Sequence, residues 1–204
     1  MDSHFYSRGN VVSIARELLG KLLVTNWKGQ ITSGRIVETE AYGGITDAAS
    51  HAFRGRRTAR TEVMYGPPGS VYVYLCYGIH YLFNIVTNKK EVPDAILIRA
   101  LEPVEGVTVM LKRTGKKKAD YSLTRGPGNL SRALALHTGH TGKLVTEKNI
   151  FVADDGFHLD PECIVATRRI GVDYAGEDAK LPYRFIVKGN PWVSGNKKQN
   201  APVS

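Results

Sequence analysis

The sequence predicts a single α+β domain in which an antiparallel β-sheet packs against helices. Three observations lead to this fold class. Five segments rich in Val, Ile, Thr and Tyr are bounded by Gly or Pro, as strands are, and most of their connections are too short for helical crossovers. Helix-like segments precede the first of these strands and follow the fifth. A length of 204 residues provides one substantial core.

The first predicted element is an amphipathic helix at residues 11–19. Its apolar residues recur at helical spacing, with Asn10 as the N-cap and Gly20 as the stop. Strands are predicted at residues 21–25, 34–42, 70–77, 81–87 and 95–100, with a turn at residues 88–91.

The C-terminal half is predicted to add two helices and a strand. Pro103 suits the first turn of a helix that runs towards Lys112, and a second helix is expected at residues 130–136, after a Gly-Pro-Gly sequence. A last strand is predicted at residues 183–187. The expected domain spans residues 10–194, between an N-terminal tail at 1–9 and a flexible C-terminal tail at 195–204.

The balance of charges favours a polyanionic partner. Lys and Arg number 28 against 19 Asp and Glu, which gives a net charge of +9, and basic side chains release counterions from phosphates. A basic surface without such a partner is the alternative at this stage. The N-terminus has no basic region followed by an apolar run, and no stretch approaches the ~18 apolar residues of a membrane helix. We therefore expect a cytoplasmic or nuclear protein, not secreted, with no membrane partner.

Several familiar kinds of catalytic site are absent from the sequence. Cys76 and Cys163 lie far apart, and neither belongs to a cluster with zinc-ligand spacing. The chain has no phosphate-binding loop, no GxGxxG, no HExxH and no GxSxG motif. His51 has no second potential ligand at metal spacing. We expect no metal and no organic cofactor.

The predicted strand at residues 34–42 carries two carboxylates. Strict alternation assigns Ile36, Glu38, Glu40 and Tyr42 to one face and Arg35, Val37, Thr39 and Ala41 to the other. Burying an unpaired charge is costly, so these carboxylates need partners. The residues alone favour an ion pair with Arg35 or Arg99 at a sheet surface over a catalytic carboxylate.

Aromatic and basic residues are concentrated in two neighbouring segments. Residues 72–81 place tyrosines and His80 around Gly78, which can turn a hairpin. In a basic protein such rings are candidates for base stacking or wedging, although Tyr is also a common strand residue. The preceding loop at residues 43–69 is long enough to be functional. It contains Arg54, Arg56, Arg57 and Arg60, with Arg35 a candidate for the same surface.

Eight motifs occur in order along the chain: GRIVETEAY at residues 34–42, ASH at 49–51, VYVY at 71–74, YG at 77–78, IRALEP at 98–103, GPGNL at 126–130, RIG at 169–171 and GNPWVS at 189–194. Together they resemble the alkyladenine DNA glycosylases, also called 3-methyladenine or N-methylpurine DNA glycosylases. The resemblance extends from about residue 18 to residue 194. It implies a curved, open-barrel-like antiparallel sheet packed by helices.

The resemblance also implies roles for individual residues. Glu40 matches the general base of the family, and Arg99 matches the arginine that helps to hold the attacking water. The residues that enclose the flipped base are matched by Tyr42, His51 and Tyr74, while Asn84 matches an asparagine that crowds the guanine 2-amino group. Tyr77 matches the side chain that intercalates into the duplex, and Arg56 and Arg60 are assigned to the DNA backbone. Glu38, His80 and residues 138–162 receive no role.

The expected partner is therefore double-stranded DNA that contains damaged purines, bound by a monomer. The implied reaction is hydrolysis of the N-glycosidic bond of 3-methyladenine, hypoxanthine, ethenoadenine or 7-methylguanine, without lyase activity. The alternative from a different class is a basic module that binds nucleic acid without chemistry. A carboxylate beside a stacking platform argues against that alternative, because it would repel phosphate.

Overall fold

The computed structural model describes residues 1–203 and contains short helices and a large antiparallel sheet. The α-helices are α1 (Ser3–Ser7), α2 (Val11–Glu17), α3 (Val107–Thr114) and α4 (Pro127–Ala133). The strands are β1 (Leu22–Trp27), β2 (Gln30–Tyr42), β3 (Val71–Cys76), β4 (His80–Thr87), β5 (Asp94–Glu105), β6 (Thr146–Glu147), β7 (Ile150–Ala153), β8 (Ile164–Thr167) and β9 (Arg184–Val187). The predicted α+β class is confirmed: the sheet curls into a half-barrel packed by helices in a single domain.

Strand β2 is the central strand of the sheet. One of its edges pairs with β5, while the other pairs first with β1, at residues 30–35, and then with β9, at Glu38–Glu40. The remaining strands extend the sheet on both sides in the order β3-β4-β5-β2-β1-β7-β6, and β8 pairs with β9. The long central strand thus joins two groups of neighbouring strands into one curved sheet.

The main core lies between the sheet and helices α2, α3 and α4. Alternation along β5 points Ile96 and Ile98 into this core and leaves Leu97 and Arg99 on the opposite face. Strands β3 and β4 follow the same rule, since Val73 and Phe83 join the core. The second face is therefore available to build a site.

A bulge in β2 changes the predicted distribution of its side chains. Ile36 pairs with Leu101 and Glu38 pairs with Ala100, so Val37 is an extra residue in the ladder. Ile36 consequently points into the main core, and Val37 packs in a smaller cluster with Val193 on the other side. The predicted faces are wrong for Ile36 and Val37, because strict alternation cannot anticipate an inserted residue.

The N-terminal helix was correctly predicted, whereas the residues before it are not a tail. The Asn10 side chain accepts a hydrogen bond from the Ser13 N–H and caps α2, and Gly20 adopts a positive φ after it. Within the predicted tail at residues 1–9, Tyr6 is completely buried in the main core. Burial of this large ring docks α1 against the sheet.

The predicted helix beginning at Pro103 is wrong, because β5 continues through that residue to Glu105. Beyond Leu97, β5 is no longer paired with β4. Because no strand lies on that side, a backbone N–H at position 103 would have no ladder partner there, and proline is tolerated. Helix α3 starts only after Gly106, whose positive φ and close approach to the Ile31 carbonyl exclude a side chain. The other predicted helix begins earlier than expected, with Pro127 in its first turn.

The C-terminal residues fold back onto the domain. The fully buried guanidinium of Arg184 donates to the carbonyl of Gln199 and to the side chain of Asn200. Part of the predicted tail at residues 195–204 thus covers a buried charge, while Ser204 lies outside the described residues. Within residues 1–203, no helix combines the length and apolar character needed to cross a membrane.

Candidate active site

A cavity of about 360 Å³ opens on the face of the sheet opposite to the main core. Its walls come from β2, the β3–β4 hairpin, β5, the start of α4 and the segment 170–174. The predicted site residues among its lining are Tyr42, His51, Tyr74, Tyr77, Asn84 and Arg99. A space of this size, with five tyrosines and two histidines among its lining residues, suits a planar organic group.

Glu40 lies beneath this cavity and is completely buried. Its Oε1 accepts a hydrogen bond from the backbone N–H of Ile170 at 2.8 Å. Its Oε2 accepts from the hydroxyl of Tyr42 at 2.7 Å and from Nη1 of Arg99 at 3.2 Å. These donors fix the orientation of the carboxylate and compensate for its removal from water.

Arg99 joins the two carboxylates of β2. Its Nε donates to Oε1 of Glu38 at 2.7 Å while Nη1 reaches Glu40. The pKa of Arg99 is raised, since the attraction of Glu40 and Glu38 outweighs the opposing effect of burial. The ion pair anticipated from the sequence exists, but it is buried beside the cavity and includes both glutamates. Arg35, the other candidate partner, instead pairs with Asp155.

Tyr42 is held between Glu40 and a second arginine. Burial and the adjacent Glu40 raise the pKa of Tyr42 well above its ordinary value, so its hydroxyl remains a donor. The guanidinium of Arg169 lies 4.9 Å from the centre of the Tyr42 ring and is itself bound by Asp47 and the carbonyl of Ala41. Sequence reasoning missed Arg169 and Asp47, because their pairing spans 122 positions.

His51 and Tyr74 meet edge to face at the cavity wall, with ring centres 4.7 Å apart. Nδ1 of His51 lies 2.9 Å from the hydroxyl of Tyr72. No separate role for Tyr72 was predicted from the sequence. Burial, together with Arg60 and Arg56, lowers the pKa of His51 to about 4. The imidazole is therefore neutral near pH 7.

Asn84 is buried in the cavity wall in a fixed orientation. Its Nδ2 donates to the carbonyls of Tyr72 and Leu82, at 3.1 and 3.2 Å. Only the NH₂ end of an amide can serve two carbonyls, so the assignment of its nitrogen and oxygen follows from the network. The side chain cannot rotate away without losing both bonds.

Tyr77 stands at the tip of the β3–β4 hairpin and is 89% exposed. It adopts a positive φ of 50°, and Gly78 follows with 73°. The N–H of Ile79 closes the turn on the carbonyl of Cys76. Leu75 and Ile79 are also exposed beside it. An apolar tip that projects beside a cavity fits a wedge between base steps.

The two arginines assigned to the DNA backbone occupy different environments. Arg56 is exposed in the loop before β3. The guanidinium of Arg60 lies 4.7 Å from the centre of the Tyr74 ring, and it contacts the Tyr72 hydroxyl and Nε2 of His51. Arg60 is thus packed against the aromatic wall, whereas Arg56 is open to a partner.

No group of His, Cys, Asp or Glu suited to a metal ion occurs in the part of the chain that the structure describes. The arrangement consists of a buried, hydrogen-bonded carboxylate below a cavity for a planar group, with an exposed aromatic wedge at its rim. These features suit an enzyme that hydrolyses an N-glycosidic bond.

Comparison with known proteins gives the family. The family model described as Methylpurine-DNA glycosylase (MPG) matches residues 4–191. The chain belongs to this family and is a DNA glycosylase, a hydrolase of N-glycosyl bonds. The resemblance found in the sequence is thereby confirmed. Membership of this enzyme family excludes the alternative of a non-catalytic nucleic-acid-binding module.

Bacterial relatives cover almost the whole chain. A protein of Desulfitobacterium hafniense is 44% identical over 197 residues, 93% of this chain and 96% of that protein. One from Clostridium perfringens is 42% identical over 198 residues, with the same two coverages. A third, from Listeria monocytogenes, is 41% identical over 196 residues, 96% of this chain and 93% of its own. Each bears the name "Putative 3-methyladenine DNA glycosylase".

Proposed function

We propose that this glycosylase removes 3-methyladenine, hypoxanthine, ethenoadenine and 7-methylguanine from double-stranded DNA, using a water molecule activated by Glu40. The observation that carries the proposal is the position of the Glu40 carboxylate, buried beneath an aromatic cavity and oriented by Ile170, Tyr42 and Arg99. The relatives named for 3-methyladenine support the first of these substrates.

The cavity supports recognition of a base outside the helix. Rotation of a nucleotide out of the duplex costs a few kcal/mol, and less for a damaged pair. Stacking against Tyr42, His51 and Tyr74 recovers on the order of 1–3 kcal/mol per base, and Tyr77 fills the gap left in the duplex. The fixed amide of Asn84 crowds a guanine 2-amino group, so normal guanine is disfavoured, and 7-methylguanine, which carries the same group, is expected to be released more slowly than 3-methyladenine.

Glu40 then acts on the sugar rather than on the base. As the C1′–N bond breaks, its electron pair leaves with the purine and positive charge develops on the deoxyribose. The Glu40 carboxylate stabilises that charge and takes a proton from the water whose oxygen attacks C1′, with Arg99 helping to hold the water. A cationic base such as 3-methyladenine departs neutral, while hypoxanthine needs a proton on the leaving base.

The product is an abasic site in an unbroken strand. No lysine lines the cavity within residues 1–203, which favours a direct hydrolysis over a Schiff-base intermediate with lyase activity. The enzyme is proposed to act on this DNA as a monomer. Arg56, exposed in the loop before β3, is proposed to contact a backbone phosphate, and Arg60 to do so from its position against Tyr74. Because its substrate is DNA, the enzyme is proposed to act in the cytoplasm, at the bacterial nucleoid, or in the nucleus.

Product analysis tests this proposal. Duplexes carrying each of the four lesions, and one undamaged duplex, are incubated with the intact protein. The free base is separated by chromatography, and abasic sites are detected by alkaline cleavage. We expect release of the damaged purines, with strand breaks only after alkali. Release of no alkylated purine, or cleavage of the strand without alkali, would contradict the proposed reaction.

A further inference from the structure

Glu38 is a densely hydrogen-bonded carboxylate next to the cavity and, like Glu40, it is not among the residues that line the cavity. It is completely buried, and its Oε1 accepts from Nε of Arg99, Nε of Arg184 and Oγ of Ser194, at 2.7, 2.7 and 2.8 Å. Its Oε2 accepts from the backbone N–H of Ser194 at 2.7 Å. Glu38 thus accepts from four donors, whereas Glu40 accepts from three.

Arg184 anchors Glu38 from the side away from Glu40. Its Nε is used by Glu38, and its four remaining N–H groups meet the carbonyls of Ser194 and Gln199, the Thr167 hydroxyl and the Asn200 side chain. All five donors of this guanidinium therefore have acceptors. The network continues from β9 into the C-terminal segment at residues 194–200.

Arg99 lies at the boundary between this network and the cavity. Its Nε bond to Glu38, at 2.7 Å, is shorter than its Nη1 contact with Glu40, at 3.2 Å. The closer and more fully bonded carboxylate determines where the guanidinium sits. Without the charge on Glu38, the nearest remaining anion for Arg99 is Glu40, and a two-point pair between them would occupy the oxygens that must receive a proton.

We propose that Glu38 is the positioning residue for Arg99: held by Arg184 and by Ser194, it keeps the guanidinium displaced towards itself, so that Arg99 touches Glu40 through one nitrogen only. The inference rests on the proposed roles of Glu40 and Arg99. It assigns a function to the first glutamate of the Glu-Thr-Glu sequence and to the segment at residues 194–200, which closes the network.

The test distinguishes a role of Glu38 in positioning Arg99 from a role in the stability of the fold alone. Glu38→Gln leaves the buried charge of Arg184 without a counterion, which destabilises the fold whatever the role of Glu38. The double variant Glu38→Gln/Arg184→Met removes both charges and restores part of that stability. Thr25→Val serves as the control, because Thr25 is buried in a hydrogen bond with Thr32 away from the cavity. Single-turnover release of 3-methyladenine, duplex affinity and urea unfolding are measured for each.

We expect kcat to fall about 100-fold in Glu38→Gln and in the double variant, the size of effect that follows from a small misplacement of a catalytic group. The affinity for a lesion-containing duplex should remain within about twofold. Glu38→Asp, which retains the charge, should recover part of kcat. A double variant that regains kcat together with stability, or a fall in kcat no larger than that of Thr25→Val, would overturn the positioning role.

Two further variants make the outcome decisive. Asn200→Ala removes one acceptor from Arg184 and should lower kcat several-fold, while Lys197→Ala, exposed in the same segment, should not. This pair decides the question if the double variant does not fold, and equal kcat in the two would overturn the inference.

Glu40→Gln is assayed in parallel. Its full activity would refute the proposed base, whereas its inactivity beside an active Glu38→Gln would refute the positioning role alone.

Discussion

The hydroxyl of Tyr42 donates to Oε2 of Glu40 at 2.7 Å, and the two residues are next neighbours on the same face of β2. One strand thus supplies both the proposed base and a donor that orients it. Tyr42→Phe should lower kcat about 10-fold, since a hydrogen bond to a charged group contributes roughly 1.5–3 kcal/mol while the stacking ring is retained. Single-turnover kinetics measure the change. A fall in duplex affinity with unchanged kcat would contradict the orienting role.

Because Tyr77 is exposed at the hairpin tip, its replacement should affect DNA binding and leave the stability of the fold unchanged. Tyr77→Ala should weaken binding of a lesion-containing duplex and slow base release by 10-fold or more, because the wedge that supports the flipped nucleotide is lost. Its free energy of unfolding should change by less than about 0.5 kcal/mol, since Tyr77 is 89% exposed. Fluorescence anisotropy and urea unfolding report the two quantities. Phe157→Ala, at an exposed aromatic outside the cavity lining, is the control and should release base normally.

The neutral state of His51 predicts a dependence of stability on pH. Its pKa is lowered from 6.5 to about 4 in the folded chain by burial and by Arg60 and Arg56, so the unfolded chain binds the proton first. The contribution of His51 to the free energy of unfolding is therefore fully present well above pH 6.5, and it decreases as the pH falls towards 4. Between pH 6.5 and 5, His51 should account for a loss of about 1.5 kcal/mol. Urea unfolding of His51→Gln should show a smaller loss over that interval, and an equal loss would refute this assignment.

The buried Tyr6 of α1 predicts an increase in stability on removal of a hydroxyl. Its hydroxyl has no hydrogen-bond partner within the described residues. Tyr6→Phe should therefore raise the free energy of unfolding by about 1 kcal/mol. Tyr65→Phe is the matched control, because the Tyr65 hydroxyl donates to the carbonyl of Arg56, and its loss should be destabilising. Equal losses in both variants would show that the Tyr6 hydroxyl is satisfied.

Local patterns predicted most of the sheet but not its irregular positions. Periodicity placed β3 and β4, because their alternation is unbroken and Gly78 marks the turn between them. It failed at Ile36, where a bulge inserts a residue, and at Pro103, which lies in a strand because one side of β5 has no neighbour there. Both outcomes depend on the pairing partner rather than on the segment itself.

The site was predicted where a motif holds its residues close together in sequence. Glu40 and Tyr42 are two positions apart, and the family resemblance selected them from an ambiguous strand. Arg184 and Asp47 could not be found in this way, since their partners are 146 and 122 positions distant. Their only sequence signal is a charged residue in or beside an apolar strand. The cost of burying such a charge implies a partner without identifying it.

The most direct test of the account is base release by Glu40→Gln, which keeps the shape of the side chain and removes its charge. Single-turnover release of 3-methyladenine from a duplex should fall by 1,000-fold or more, the scale of a lost general base together with lost electrostatic stabilisation. Affinity for the same duplex should be nearly unchanged. Release at the wild-type rate by the folded variant would contradict the assignment of Glu40 as the group that activates water.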